Sequence, residues 1–141
     1  MKKITLLFSM GLFMAISVMA QSTSPIGVWK TIDDETGKAK SHVEVYKGSD
    51  GKLHGKIVKL LLKSEDAVCD VCPGDKKGKK LMGMEVIWGM EKDGDEYEDG
   101  KILKADNGKT YKGKIWVEDG KLMVRGYIGF VYRTQEWDRV K

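Results

Sequence analysis

Polar and apolar residues alternate along much of this chain. Between Tyr111 and Glu118 the residues Tyr111, Gly113, Ile115 and Val117 fall on one face, and Lys112, Lys114, Trp116 and Glu118 on the other. A period of two belongs to a strand, not a helix. The same alternation groups Met82, Met84, Val86, Trp88 and Met90 opposite Gly83, Glu85, Ile87 and Gly89. Val43 with Val45, Leu53 with Ile57 and Leu61, and Leu122 with Val124 and Ile128 repeat the theme. Asp50-Gly51, Asp93-Gly94, Asn107-Gly108 and Asp119-Gly120 punctuate these runs, and such pairs tolerate the positive φ of tight hairpins. The pattern predicts about eight strands, over 26–32, 41–47, 52–62, 82–90, 97–104, 109–118, 121–128 and 131–140. An open sheet of consecutive hairpins leaves unpaired edges, and closure removes them. The expected fold is therefore all-β, an antiparallel up-and-down meander closed into a barrel, with one long connection from about Lys63 to Lys80.

The first twenty residues read as an address. Lys2 and Lys3 precede an apolar run from Ile4 to Met19, and Val18-Met19-Ala20 offers the small side chains that a signal peptidase requires. The alternative is a membrane anchor, but the run is short of the roughly twenty residues needed to span a bilayer and carries Ser9, Gly11 and Ser17. No cysteine precedes Cys69, which excludes a lipoprotein cysteine in the leader. We expect a signal peptide over 1–20, cleavage after Ala20, a single domain over 21–141, and a mature protein in the periplasm or outside the cell, with no membrane span. Loss of Lys2 and Lys3 lowers the formal charge from +4 to +2. That is too mild to argue for nucleic acid, and no basic stripe with interleaved aromatics appears.

Cys69-x-x-Cys72 contains the whole cysteine complement. An intramolecular disulfide is the first expectation in an oxidising compartment, ahead of redox exchange and metal binding. A redox thiol needs a lowered pKa, usually from a helix N-terminus, and Cys72 runs instead into Pro73-Gly74. His42 and His54 stand at no ligand spacing, so no metal or cofactor is implied. The acids at Asp33-Asp34-Glu35 and from Glu91 to Asp99, and the lysines Lys76, Lys77, Lys79 and Lys80, read as solvated turns and loops. No serine elbow or cysteine–histidine order argues for an enzyme.

Gly27-Val28-Trp29-Lys30-Thr31, Asp33-Asp34, Thr36-Gly37, the Cys69-x-x-Cys72 loop, Gly83-Met84-Glu85, Gly100-Lys101-Ile102-Leu103, Asn107-Gly108-Lys109-Thr110-Tyr111, Arg125-Gly126-Tyr127-Ile128-Gly129 and Arg133-Thr134-Gln135-x-Trp137-x-Arg139 together resemble the exported bacterial family catalogued as domain of unknown function (DUF) 2147. The resemblance implies a β-barrel related in shape to lipocalins and carries no established activity. Gly27-x-Trp29 and Arg139 are also similar to the lipocalin pair in which a late-strand arginine stacks on a first-strand tryptophan. Such a pair closes one barrel end through cation–π attraction and hydrogen bonds to nearby carbonyls. Trp29, Trp137 and Arg139 are the expected closure residues.

Strict alternation puts Arg133, Gln135, Trp137 and Arg139 on one face of the last strand. If Trp137 points inward, the charges beside it must pair internally or hold something. Fatty-acid-binding barrels grip a carboxylate in this way, while internal pairing with acids and stacking on Trp29 is the plainer arrangement. The leading functional expectation is a barrel holding a small amphipathic or anionic molecule, with Arg133 and Gln135 as anchor and Met84 and Trp88 in an adaptable apolar wall. A packed structural or interaction domain, and thiol–disulfide chemistry at the CxxC loop, are the alternatives.

Overall fold

Eight strands follow one another around a closed antiparallel barrel: β1 (Gly27–Ile32), β2 (Ala39–Lys47), β3 (Leu53–Leu60), β4 (Glu85–Asp93), β5 (Glu96–Lys104), β6 (Lys109–Glu118), β7 (Lys121–Ile128) and β8 (Val131–Arg139). The computed structural model describes residues 23–141, so the leader and its expected cleavage at Ala20 lie outside the described residues. β8 returns to β1 through the pairs Trp29–Arg139 and Lys30–Asp138, which removes both sheet edges. Asp119 and Gly120 form the two-residue turn between β6 and β7 with φ of 52° and 74°. Positive φ at both positions is the hairpin geometry whose twist matches the flanking strands, and asparagine, aspartate and glycine tolerate it best.

The main departure from the simple alternation lies in β4. It starts at Glu85 rather than Met82 and runs to Asp93, so its turn is Gly94-Asp95 instead of Asp93-Gly94. Register shifts between Leu53 and Gly55, and again between Gly55 and Lys56, give β4 more residues than the facing stretch of β3. Bulged residues re-aim the side chains that follow. Val86 and Ile87 are consequently both buried, Met90 is buried, and Trp88 faces outward under the Lys76 ammonium, which lies 4.5 Å from its ring centroid.

The connection from Leu61 to Met84 is pinned rather than structureless. Cys69 and Cys72 form a disulfide, with Cys69 Sγ 3.6 Å from the Ala105 carbonyl oxygen and Cys72 Sγ 3.9 Å from Met84 Sδ. Cys69, Cys72, Leu81 and Met84 are all buried, so the loop carries a small apolar cluster of its own. A single 3-10 turn, Gly74–Lys76, follows the second cysteine, so no α-helix N-terminus faces the sulfurs.

On the outer wall His54 sits between two carboxylates, with Nδ1 2.5 Å from Glu85 Oε1 and Nε2 3.0 Å from Asp50. Burial alone would lower its pKa, but these contacts outweigh it and hold it above the ordinary histidine value. A raised value means that this stabilisation is fully present below the unfolded pKa of about 6.5 and disappears as pH rises through the folded value. The gain in thermal midpoint over His54→Gln should therefore shrink above that pH. Midpoints of both chains across pH check this, and the difference cancels His42, which burial, Lys59 and Lys30 shift downward instead.

Candidate functional site

An up-and-down barrel alternates its turns between two ends, and here the ends differ. The end where β1 begins and β8 finishes is filled. Trp29, Val45, Leu53, Met90, Ile115 and Leu122 are each no more than 2% exposed and occupy this half of the interior. Trp29 donates from Nε1 to the Pro25 carbonyl at 2.7 Å. The Arg139 guanidinium lies 4.1 Å from the centroid of the Trp29 rings and donates to the carbonyls of Ile26 (3.2 Å) and Ser24 (2.9 Å). Gly27 makes room for it: its φ is +141°, and a Cβ there would stand 2.6 Å from an Arg139 guanidinium nitrogen.

The opposite end is hollow. A cavity of about 250 Å³ opens there, walled by Val43, Ile57, Val86, Ile87, Ile102 and Val124 with Trp137 among them. It stays open because inward positions near the mouth carry small side chains, including Thr31, Ser41 and Gly126. The two buried hydroxyls, Thr31 Oγ1 and Ser41 Oγ, satisfy each other at 2.7 Å. An eight-stranded barrel is near the size at which side chains either just fill the interior or leave room for one small ligand.

Charge gathers at the mouth. Asp34, in the β1–β2 turn, accepts from Lys104 Nζ at 3.0 Å and from Gln135 Nε2 at 2.5 Å, and Arg133 lies 3.9 Å away. Gln135 in turn accepts from Trp137 Nε1 at 2.8 Å. The chain Trp137–Gln135–Asp34–Lys104 thus bridges β8, the first hairpin and β5 across the opening. Partial burial would raise the Asp34 carboxyl, but the hydrogen bonds from Lys104 and Gln135 and the charges of Lys104 and Arg133 hold it below the ordinary carboxylate value. The same contact with Asp34 raises Lys104. Lys40, also on the lining, is held by Asp106 at 2.7 Å. Arg133 is the least committed cation, with 75% of its side chain exposed.

The expected site residues are therefore divided. Arg133, Gln135 and Trp137 line the cavity together, whereas Trp29 and Arg139 stand at the filled end. Trp137 belongs to the cavity wall as well as the core. Met84 and Trp88 do not line it: the bulges in β4 turn Trp88 outward, and Met84 precedes the strand and packs on the disulfide. Asp34 and Lys104 are functional candidates that the turn and strand patterns did not single out. Their pairing joins residues seventy positions apart, and the only local signal was an acid inside a hairpin turn. Among the described residues no group of histidine, cysteine and carboxylate side chains is placed to hold a metal, and no helix is long and apolar enough to cross a membrane.

The fold is similar to that of a solved structure described as protein HP1028 from the human pathogen Helicobacter pylori, which belongs to the lipocalin family. The two superpose with a TM-score of 0.74 at 19% identity, over 85% of each chain. At that identity the likeness concerns the barrel alone. No curated protein matches the chain. A family model described as an uncharacterised protein conserved in bacteria matches residues 27–139, which include all eight strands, and the chain accordingly belongs to the DUF2147 family.

Proposed function

We propose that this protein binds a small amphipathic molecule, with its apolar part in the barrel cavity and an anionic group at the mouth. The observation that carries the reading is the pairing of an apolar-walled cavity of about 250 Å³ with an opening where Lys40, Lys104 and Arg133 outnumber the carboxylates Asp34 and Asp106. Apolar walls supply the burial energy, and a few convergent polar groups set orientation. Arg133 meets the anionic group first, since Lys40 and Lys104 are already engaged at shorter distances. The buried disulfide lends no support to thiol–disulfide chemistry, because both sulfurs are packed among Met84 and Ala105. We further propose that the protein acts after export, with Gln21 as its first residue.

Fluorescence titration with two probes tests the reading: an anionic naphthalene sulfonate dye and a neutral solvatochromic dye. Both should bind saturably. Arg133→Ala should weaken the anionic probe by about two- to fivefold, as expected of a largely exposed charge, and leave the neutral one unchanged. Absence of saturable binding for either probe would return the barrel to a packed structural or interaction role. Equal affinities in parent and variant would remove the anionic anchor.

A further inference from the structure

The β7–β8 hairpin closes at Gly129-Phe130 and projects beside the cavity mouth. Its tip is apolar and bare: Ile128 is 65% exposed, Val131 70%, and Phe130 fully. Contiguous exposed apolar side chains of this kind mark a contact surface. Below the tip, the outer wall changes character. Lys112 pairs in register with Tyr127, and Tyr127 with Tyr132, so cation and aromatics form one row across β6, β7 and β8. The Arg125 guanidinium lies between two rings, 4.1 Å from Tyr132 and 4.9 Å from Trp116. Lys101 extends the row beyond Lys112, and neither lysine makes an ion pair among the described residues. Glu98 and Asp99, further along β5 toward the filled end, line the same surface groove as Lys101 and Lys112 without pairing with either.

An apolar tip, then aromatics, then cations outside any ion pair is the order that matches a bilayer's acyl chains, interface and phosphates. From this arrangement we infer that the hairpin end of the barrel docks onto an anionic phospholipid surface, with Phe130 inserted and Lys101, Lys112 and Arg125 against the phosphates. A second copy of the chain is a poorer occupant. The closed barrel offers no strand edge, and a standard interface buries about 800 Å² per partner over roughly 20–30 residues, more than the tip from Ile128 to Val131 presents. Docking through this end would set the cavity mouth against the lipid surface, and it does not require the cavity to be occupied.

Vesicle sedimentation tests the inference, using the chain from Gln21 onward, which contains all eight strands. Vesicles of phosphatidylcholine alone are compared with vesicles of phosphatidylcholine and phosphatidylglycerol in equal parts. The protein should sediment with the anionic vesicles, less with the neutral ones, and less with both as salt rises. Phe130→Asp should cut partitioning by about tenfold with an unchanged thermal midpoint, since the side chain is fully exposed. Lys112→Glu should weaken anionic binding selectively. No sedimentation with either vesicle, or equal sedimentation of parent and Phe130→Asp, overturns the inference. Light scattering that showed a Phe130-dependent dimer without lipid would assign the tip to a second copy and overturn it as well. Dye binding in the cavity should be intact in Phe130→Asp, which separates this outcome from failure of the ligand reading.

Discussion

Replacing Trp29 by alanine is expected to lower the stability of this barrel by about 3–5 kcal/mol, the largest loss we anticipate from any single truncation here. The indole is completely buried, its N–H holds the Pro25 carbonyl, and one face carries the Arg139 guanidinium. Its removal opens a cavity in the half of the barrel that is otherwise filled. Arg139→Ala should cost about 1–3 kcal/mol, through lost stacking on Trp29 and loss of the guanidinium's hydrogen bonds to the Ser24 and Ile26 carbonyls. Arg139→Lys should recover little, because an ammonium cannot lie flat on the rings and reach two carbonyls at once. Denaturant midpoints for the three variants make the comparison. Full rescue by lysine would show that charge alone matters, and a negligible loss in both arginine variants would remove the closing pair.

The second large effect concerns binding rather than stability. Val124 projects from β7 into the cavity wall, level with Gln135 on β8. Val124→Trp should obstruct the cavity of roughly 250 Å³ and lower affinity for the anionic and neutral probes alike by about a hundredfold, since ligand and side chain compete for one volume. Added bulk in a packed core usually strains it, but here the new side chain enters open space, so the thermal midpoint should hold or rise. The contrast with Arg133→Ala is diagnostic: a plug removes both probes, a missing mouth charge only the anionic one. Unchanged binding in Val124→Trp would place the probe on the outer surface and detach the cavity from the proposed function.

The number and order of strands were legible because alternation is a property of a single strand. Tyr111 to Val117 declare an inward face whatever surrounds them, and Asp119-Gly120 declares a hairpin by its own φ preferences. The cysteine pair was legible because residue type limits what it can do, and the Gly27-x-Trp29 signal with Arg139 through its similarity to the lipocalin pair. β4 was misread where bulges interrupt the period, because a bulge answers to the strand across from it and leaves no mark in its own alternation. Asp34 was read as a solvated turn acid for the same kind of reason. Its partners Lys104 and Gln135 lie seventy and one hundred and one residues away and meet it only when the barrel closes. Whether the interior is filled or hollow was likewise decided by tertiary structure. Outside β4, the sequence by itself determined which residues face inward. The volume left among them is a sum over all eight strands, and it exists only once Thr31, Ser41, Val124 and Gly126 stand around one axis.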